Sequence, residues 1–124
     1  MSMSKINEII INKDFLLSEF QCPCCHRVML HPDLLKLLVK LRLHIREPIY
    51  INSGYRCAKE NKKVGGVKGS YHLFGMAADI TVRQISMTDL ANLAEMAGFY
   101  GIGIYGTFLH LDVRPNKYHW SGLL

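Results

Sequence analysis

The order of apolar and polar residues predicts helices alternating with short strands. Leu34, Leu38, Leu41 and Ile45 recur at helical spacing, with Leu35 and Leu37 widening the stripe and Lys36, Lys40 and Arg46 largely outside it. Pro32 or Asp33 opens this helix, because proline suits a first turn and an acid suits the positive end of the helix dipole; Pro48 closes it after Glu47. A second amphipathic helix carries Leu90, Leu93, Ala94 and Ala97, starts at the capping sequence Ser86-Met87-Thr88-Asp89 and ends at Gly98. Ile49 to Ser53 reads as a strand. Ala77 to Val82 alternates, placing Asp79 on one face with Ala77 and Thr81 while Ala78, Ile80 and Val82 face the core. In Phe108 to Arg114 the same period puts Leu109, Leu111 and Val113 on one face and His110, Asp112 and Arg114 on the other. Gly101 to Tyr105 is a strand with glycine at alternate positions, a sign that another backbone or a ligand comes close to one face. Gly106-Thr107 turns it into the His110 strand as a hairpin.

The remaining segments carry less pattern. Met1 to Lys13 is a partly extended lead-in with Ile9, Ile10 and Ile11 against the core, and Phe15 to Phe20 is a short turn or single helical turn. Cys57 to Tyr71 has glycines at 65, 66 and 69 and no periodicity, so it reads as a long loop of the kind that is commonly functional. The tail from Pro115 contains His119-Trp120, which either folds back over a site or caps the core.

A length of 124 residues suits one domain, 1–124, with residues 1–30 as a lead-in that holds a cysteine cluster. No apolar run approaches the ~20 residues of a membrane span. Lys5, Glu8, Lys13, Asp14 and Glu19 interrupt the apolar stretch that a signal peptide needs, so the expectation is synthesis in the cytoplasm without a leader and exit by another route. The net charge of +5 favours an anionic partner, either nucleic acid or an acidic polymer such as a bacterial cell wall. Lys59, Lys62, Lys63 and Lys68 supply much of that charge, but without the interleaved aromatics of a nucleic-acid surface, so no nucleic-acid partner is expected. A monomer is expected.

The candidate chemistry lies in His72, Asp79 and His110. Gly75 lets the chain fold back between the first two, and His110 stands on the polar face of a strand. Two imidazoles and one carboxylate suit a catalytic zinc ion, with the fourth position left for water. A lone histidine in an apolar run is ordinarily a packing residue; the convergence of the set is what points to a metal. Arg56, where a strand opens into a loop, could offer its donors to a substrate carboxylate or an oxyanion. Cys22, Cys24, Cys25 and Cys57 are dense enough to suggest a second, structural metal. Their spacing is not that of a standard zinc finger, and the balance falls on buried or free thiols.

Ser53-Gly54-Tyr55-Arg56, Ser70-x-His72-x-x-Gly75-x-Ala77-x-Asp79-Ile80, Gly98-Phe99-x-Gly101-Ile102-Gly103-Ile104-Tyr105 and His110-x-Asp112-x-Arg114, ending in Trp120, resemble the zinc D-Ala-D-Ala carboxypeptidase family. Its endolysin and murein-endopeptidase relatives share a fold with the hedgehog signalling domain. The resemblance, over about Phe15 to Trp120, implies an α+β domain with a small antiparallel sheet flanked by helices. It implies a zinc peptidase acting on peptidoglycan stem peptides, as a carboxypeptidase or an endopeptidase; the expected lack of a leader suggests release for cell-wall degradation as in phage lysis. It makes His72, Asp79 and His110 the metal ligands and Arg56 the residue that holds substrate or stabilises the transition state; Ser70 and Tyr71 are further candidate substrate-binding residues. Several relatives carry a glutamate or histidine general base shortly before the last ligand, whereas Gly106-Thr107-Phe108-Leu109 offers neither. Asp112 is the best substitute, as base or as partner to His110, and His119 is next. The rival readings are a cytoplasmic D-Ala-D-Ala dipeptidase and a zinc-containing binding module without hydrolysis.

Overall fold

The computed structural model of the chain describes residue 7 and residues 9–122; the start of the expected lead-in (1–6 and 8) and the end of the tail (123–124) lie outside the described residues. Strands β1 (Ile10–Asn12) and β2 (Phe15–Leu16) form a small antiparallel pair, followed by a single 3₁₀ turn at Leu17–Phe20. Helix α1 (Pro32–His44) begins with the backbone N–H of Asp33 donating to His31 Nδ1 at 3.1 Å, and buries Leu34, Leu38 and Leu41. It stops at His44 rather than at Glu47: Ile45 turns extended to bury its side chain, Arg42 Nη1 donates to its carbonyl at 2.7 Å, and Pro48 disfavours helical backbone at Glu47.

Strand β3 (Ile49–Ser53) leads into helix α2 (Ala58–Lys63), where a structureless loop is expected from the sequence. Its buried face is polar, Glu60 and Asn61, and Asn61 Nδ2 donates to the carbonyl of Val67 at 3.0 Å. A helix held by hydrogen bonds rather than by an apolar stripe leaves no hydrophobic period to read. A 3₁₀ turn at Tyr71–Phe74 ends on Gly75 in the left-handed region, φ 67°. Strand β4 (Ala77–Val82), helix α3 (Met87–Ala97), and strands β5 (Gly101–Ile104), β6 (Leu109–Asp112) and β7 (Tyr118–Ser121) complete the order. Helix α3 is capped as its sequence predicts, with Ser86 Oγ accepting from the Asp89 N–H at 3.1 Å and Gly98 left-handed.

The main sheet runs β3-β4-β6-β5-β7 and is antiparallel except for β7, which lies parallel to β5. One face is apolar: Ala78, Ile80, Val82, Ile102, Leu109 and Leu111 pack with Leu38, Leu41, Leu90, Ala94 and Phe99. Helix α3 rests on β5 and β6, and α1 rests on α3. The chain thus has the expected α+β architecture, a small, mostly antiparallel sheet covered by helices. Among the described residues no helix is long and apolar enough to cross a membrane.

The other face holds the chemistry, because register sets the polar positions in rows. Ser53 pairs with Asp79, Asp79 with His110, His110 with Gly103 and Gly103 with Trp120, so one line of residues crosses all five strands. The neighbouring row is Ala77, Asp112, Gly101 and Tyr118. A slip of one residue in β6 would turn both His110 and Asp112 into the core.

Candidate metal centre

Asp79 and His110 face each other across adjacent strands, and His72 reaches them from the 3₁₀ turn. One ligand atom from each lies within 4.8 Å of the others. Gly75 permits the approach: a Cβ there would run into the carbonyl of Met29. Ser70 Oγ accepts from the His72 N–H at 3.2 Å, so Ser70 serves the turn as its cap.

Hydrogen bonds fix which nitrogen of each imidazole is free. His72 Nδ1 is 2.7 Å from the Gly54 carbonyl, which can only accept, so Nδ1 carries the hydrogen and Nε2 presents a lone pair. His110 Nε2 is 2.7 Å from Asp112 Oδ2. Burial raises the Asp112 pKa, but hydrogen bonds from Arg114 and His110 outweigh it and lower it to about 2, so this carboxylate also accepts, leaving His110 Nδ1 free. The two free nitrogens meet the same oxygen, Asp79 Oδ1, at 3.2 and 3.0 Å. With both rings neutral, three acceptors face one point, and one divalent ion placed there would serve all three where a proton serves one pair at a time. Burial raises the Asp79 carboxyl too, yet the imidazoles outweigh it and hold it well below the ordinary carboxylate range. For His110, burial acts downward and Asp112 and Asp79 prevail upward. The donor set, two nitrogens and a carboxylate, is one that zinc accepts.

The sequence-assigned residues around this set separate into different roles. Arg56 donates from Nη2 to Asp79 Oδ2 at 2.9 Å, from Nε to Ser53 Oγ at 3.0 Å and from Nη1 to Asn61 Oδ1 at 3.3 Å. Asp112 is fully buried, and its oxygens accept from His110 and from Arg114 Nε and Nη2 at 2.8 and 2.7 Å. It has no face toward solvent from which to take a proton from water, so of the two roles expected of it the geometry favours the partner to His110 over the base. For His119, the next candidate, Nδ1 lies 3.3 Å from Glu95 Oε2 on α3. In a strand, neighbouring side chains point to opposite faces. Trp120 takes the site face and His119 the helix face.

The centre opens into a cleft of about 570 Å³, a size ordinary for ligand sites. Glycines 65, 66 and 69 form one side, and Tyr71, Tyr105, Phe108, Tyr118 and Trp120 contribute aromatic surface. Asp79 is the only carboxylate among the described residues that line it. The sequence reading assigned no role to Arg114 or Tyr105. The Arg114 guanidinium lies 4.9 Å from the Tyr71 ring and 5.0 Å from Trp120, while Trp120 Nε1 donates to Tyr105 Oη at 2.9 Å and its ring lies 5.2 Å from His110. The alternate glycines were the available signal. They make room for the side chains of Asp112, at Gly101, and Trp120, at Gly103, rather than for a backbone or ligand.

Gly103→Val would drive a side chain into the Trp120 ring. Trp120 is the single tryptophan, so the expected result is a red-shifted emission as the indole leaves the cleft wall, with turnover reduced. An unchanged spectrum would contradict the packing described.

The sequence profile described as Peptidase M15 matches residues 10–112. The peptidoglycan L,D-endopeptidase MepK of Escherichia coli K12 is 32% identical over 98 residues, 72% of this chain and 53% of that protein. The probable peptidoglycan L,D-endopeptidase MepK of Haemophilus influenzae is 26% identical over 120 residues, 89% of this chain and 63% of that protein. The zinc D-Ala-D-Ala carboxypeptidase of Streptomyces albus G is 38% identical over 53 residues, 43% of this chain and 21% of that protein. The chain spans about half the length of the E. coli relative it matches. With both the family profile and the E. coli likeness extending across most of its length, this chain belongs to the Peptidase M15 family.

Proposed function

We propose that the chain is a zinc-dependent peptidase that hydrolyses peptide bonds in the stem peptides of bacterial peptidoglycan, as an endopeptidase. The observation that carries this reading is the convergence of His72 Nε2, His110 Nδ1 and Asp79 Oδ1 beside a cleft. The endopeptidase form is supported by relatives so named, whose likeness covers 72% and 89% of the chain, against 43% for the carboxypeptidase.

His72, Asp79 and His110 would hold the zinc ion, which would supply Lewis-acid polarisation and hydrolytic water near neutral pH. The protein's own residues do the rest. Gly54 and Asp112 fix the imidazole tautomers, so both rings offer lone pairs without reorganisation. Arg56 orients Asp79 and lines the cleft; three of its five N–H donors are engaged, which leaves two for a carbonyl oxygen that gains charge as it is attacked. Tyr71 and Trp120 hold Arg114 against the cleft wall, where it stays bonded to Asp112. Lys62, Lys63 and Lys68 flank the glycine side and favour approach of a carboxylate-bearing peptide.

The test is mass spectrometry of products from purified cross-linked muropeptides. The expected result is cleavage within the peptide that a chelator abolishes and added zinc restores. Release of a terminal D-alanine alone would replace the endopeptidase by a carboxypeptidase, and cleavage indifferent to the chelator would sink the zinc reading.

A further inference from the structure

The cysteines form a second convergent set, away from the cleft. Sγ of Cys22 is 3.6 Å from those of Cys24 and Cys57, the Cys24 and Cys57 sulfurs are 3.3 Å apart, and all four sulfurs, with Cys25, lie within 4.8 Å of one another. We propose that Cys22, Cys24, Cys25 and Cys57 bind one structural zinc ion. Four sulfurs at ~2.3 Å from a tetrahedral zinc stand about 3.8 Å apart, close to this spacing, whereas a disulfide needs ~2.05 Å and joins only two.

The short Cys22-x-Cys24-Cys25 spacing, which argued against a zinc finger from sequence, is made workable by a tight turn. The His26 N–H donates to the Cys22 carbonyl at 2.9 Å, the Cys22 N–H donates to the Arg27 carbonyl at 2.8 Å, and His26 takes the left-handed region at φ 59°. The chain reverses within six residues, Cys22 to Arg27, and brings three sulfurs to one side.

The ion would fasten the turn at Cys22–Arg27 to the segment that orders the cleft. Cys57 directly follows Arg56. The Tyr55 N–H donates to the Phe20 carbonyl at 2.8 Å, the Arg56 N–H donates to the His72 carbonyl at 3.1 Å, and the Gly54 carbonyl accepts from His72 Nδ1. Loss of the sulfur-bound ion therefore weakens the site at His72 as well.

The test measures metal and thiols on the full chain, purified under reducing conditions with zinc. Two zinc ions per chain are expected, with none of the four thiols alkylated in the native protein, and a mercurial reagent should release one zinc as it consumes them. His72→Ala should keep one zinc. Cobalt loaded into that variant should give the intense thiolate-to-cobalt charge-transfer absorption of a tetrahedral sulfur site. Cys22→Ser with Cys57→Ser should lose one zinc and this absorption; the wild-type thiol measurement stands even where that variant does not fold. The proposal is overturned by native zinc-loaded protein whose thiols alkylate freely, by a mass two hydrogens lighter for each disulfide, or by a His72→Ala variant that holds no metal.

Discussion

His72→Ala is expected to lower kcat/KM about a thousandfold or more and to remove one zinc ion per chain. The side chain is 2% exposed, and its Nε2 is, among the described residues, one of two imidazole nitrogens aimed at the Asp79 carboxylate. Losing a Lewis acid forfeits several kcal/mol of transition-state stabilisation, and ~4 kcal/mol corresponds to about three powers of ten in rate. The change also leaves the Gly54 carbonyl without its donor at 2.7 Å, which adds about 1–3 kcal/mol of destabilisation. Muropeptide turnover, zinc content and a urea titration read the three effects separately. A variant that keeps more than a tenth of the activity with its metal content unchanged would exclude His72 as a ligand.

Asp112→Asn is the second large effect, and it distinguishes a base from a residue that acts through another. Asp112 positions His110 and is itself held by the Arg114 guanidinium. Zinc affinity at the His72 site should fall about 10- to 100-fold, the usual cost of losing a partner behind a metal-bound imidazole. Stability should fall by about 3 kcal/mol, the low end for a broken buried pair because the Arg114 side chain is 20% exposed. Activity should recover substantially when zinc is raised to saturate the site. A general base would behave otherwise, with kcat down ~10²–10⁴-fold at saturating zinc and affinity intact.

Much of this was legible in the sequence because period and punctuation carried it. The alternation in Ala77 to Val82 and in Phe108 to Arg114 places Asp79 and His110 on polar faces, and Gly75 marks the reversal that admits His72. Pairing was less accessible. That β7 lies parallel to β5, with Trp120 against Gly103, depends on a contact between strands that no local pattern encodes. The same register sends His119 toward Glu95, on the face opposite the site. Asp112 was ambiguous for another reason. Its sequence position specifies the face, but whether that face is open or sealed there depends on Arg114 folding back over the carboxylate. Helix α2 went unread because its inner side is Glu60 and Asn61. The cysteines were visible from the start, yet spacing alone obscured how the turn at His26 gathers them.

Crystals of the zinc-loaded chain, with diffraction collected on both sides of the zinc absorption edge, give the most direct measurement. An anomalous peak bonded to His72 Nε2, His110 Nδ1 and an Asp79 oxygen is expected, with a coordination position open to the cleft. No peak there, or a peak whose remaining position is closed by a further protein ligand, would contradict the zinc reading.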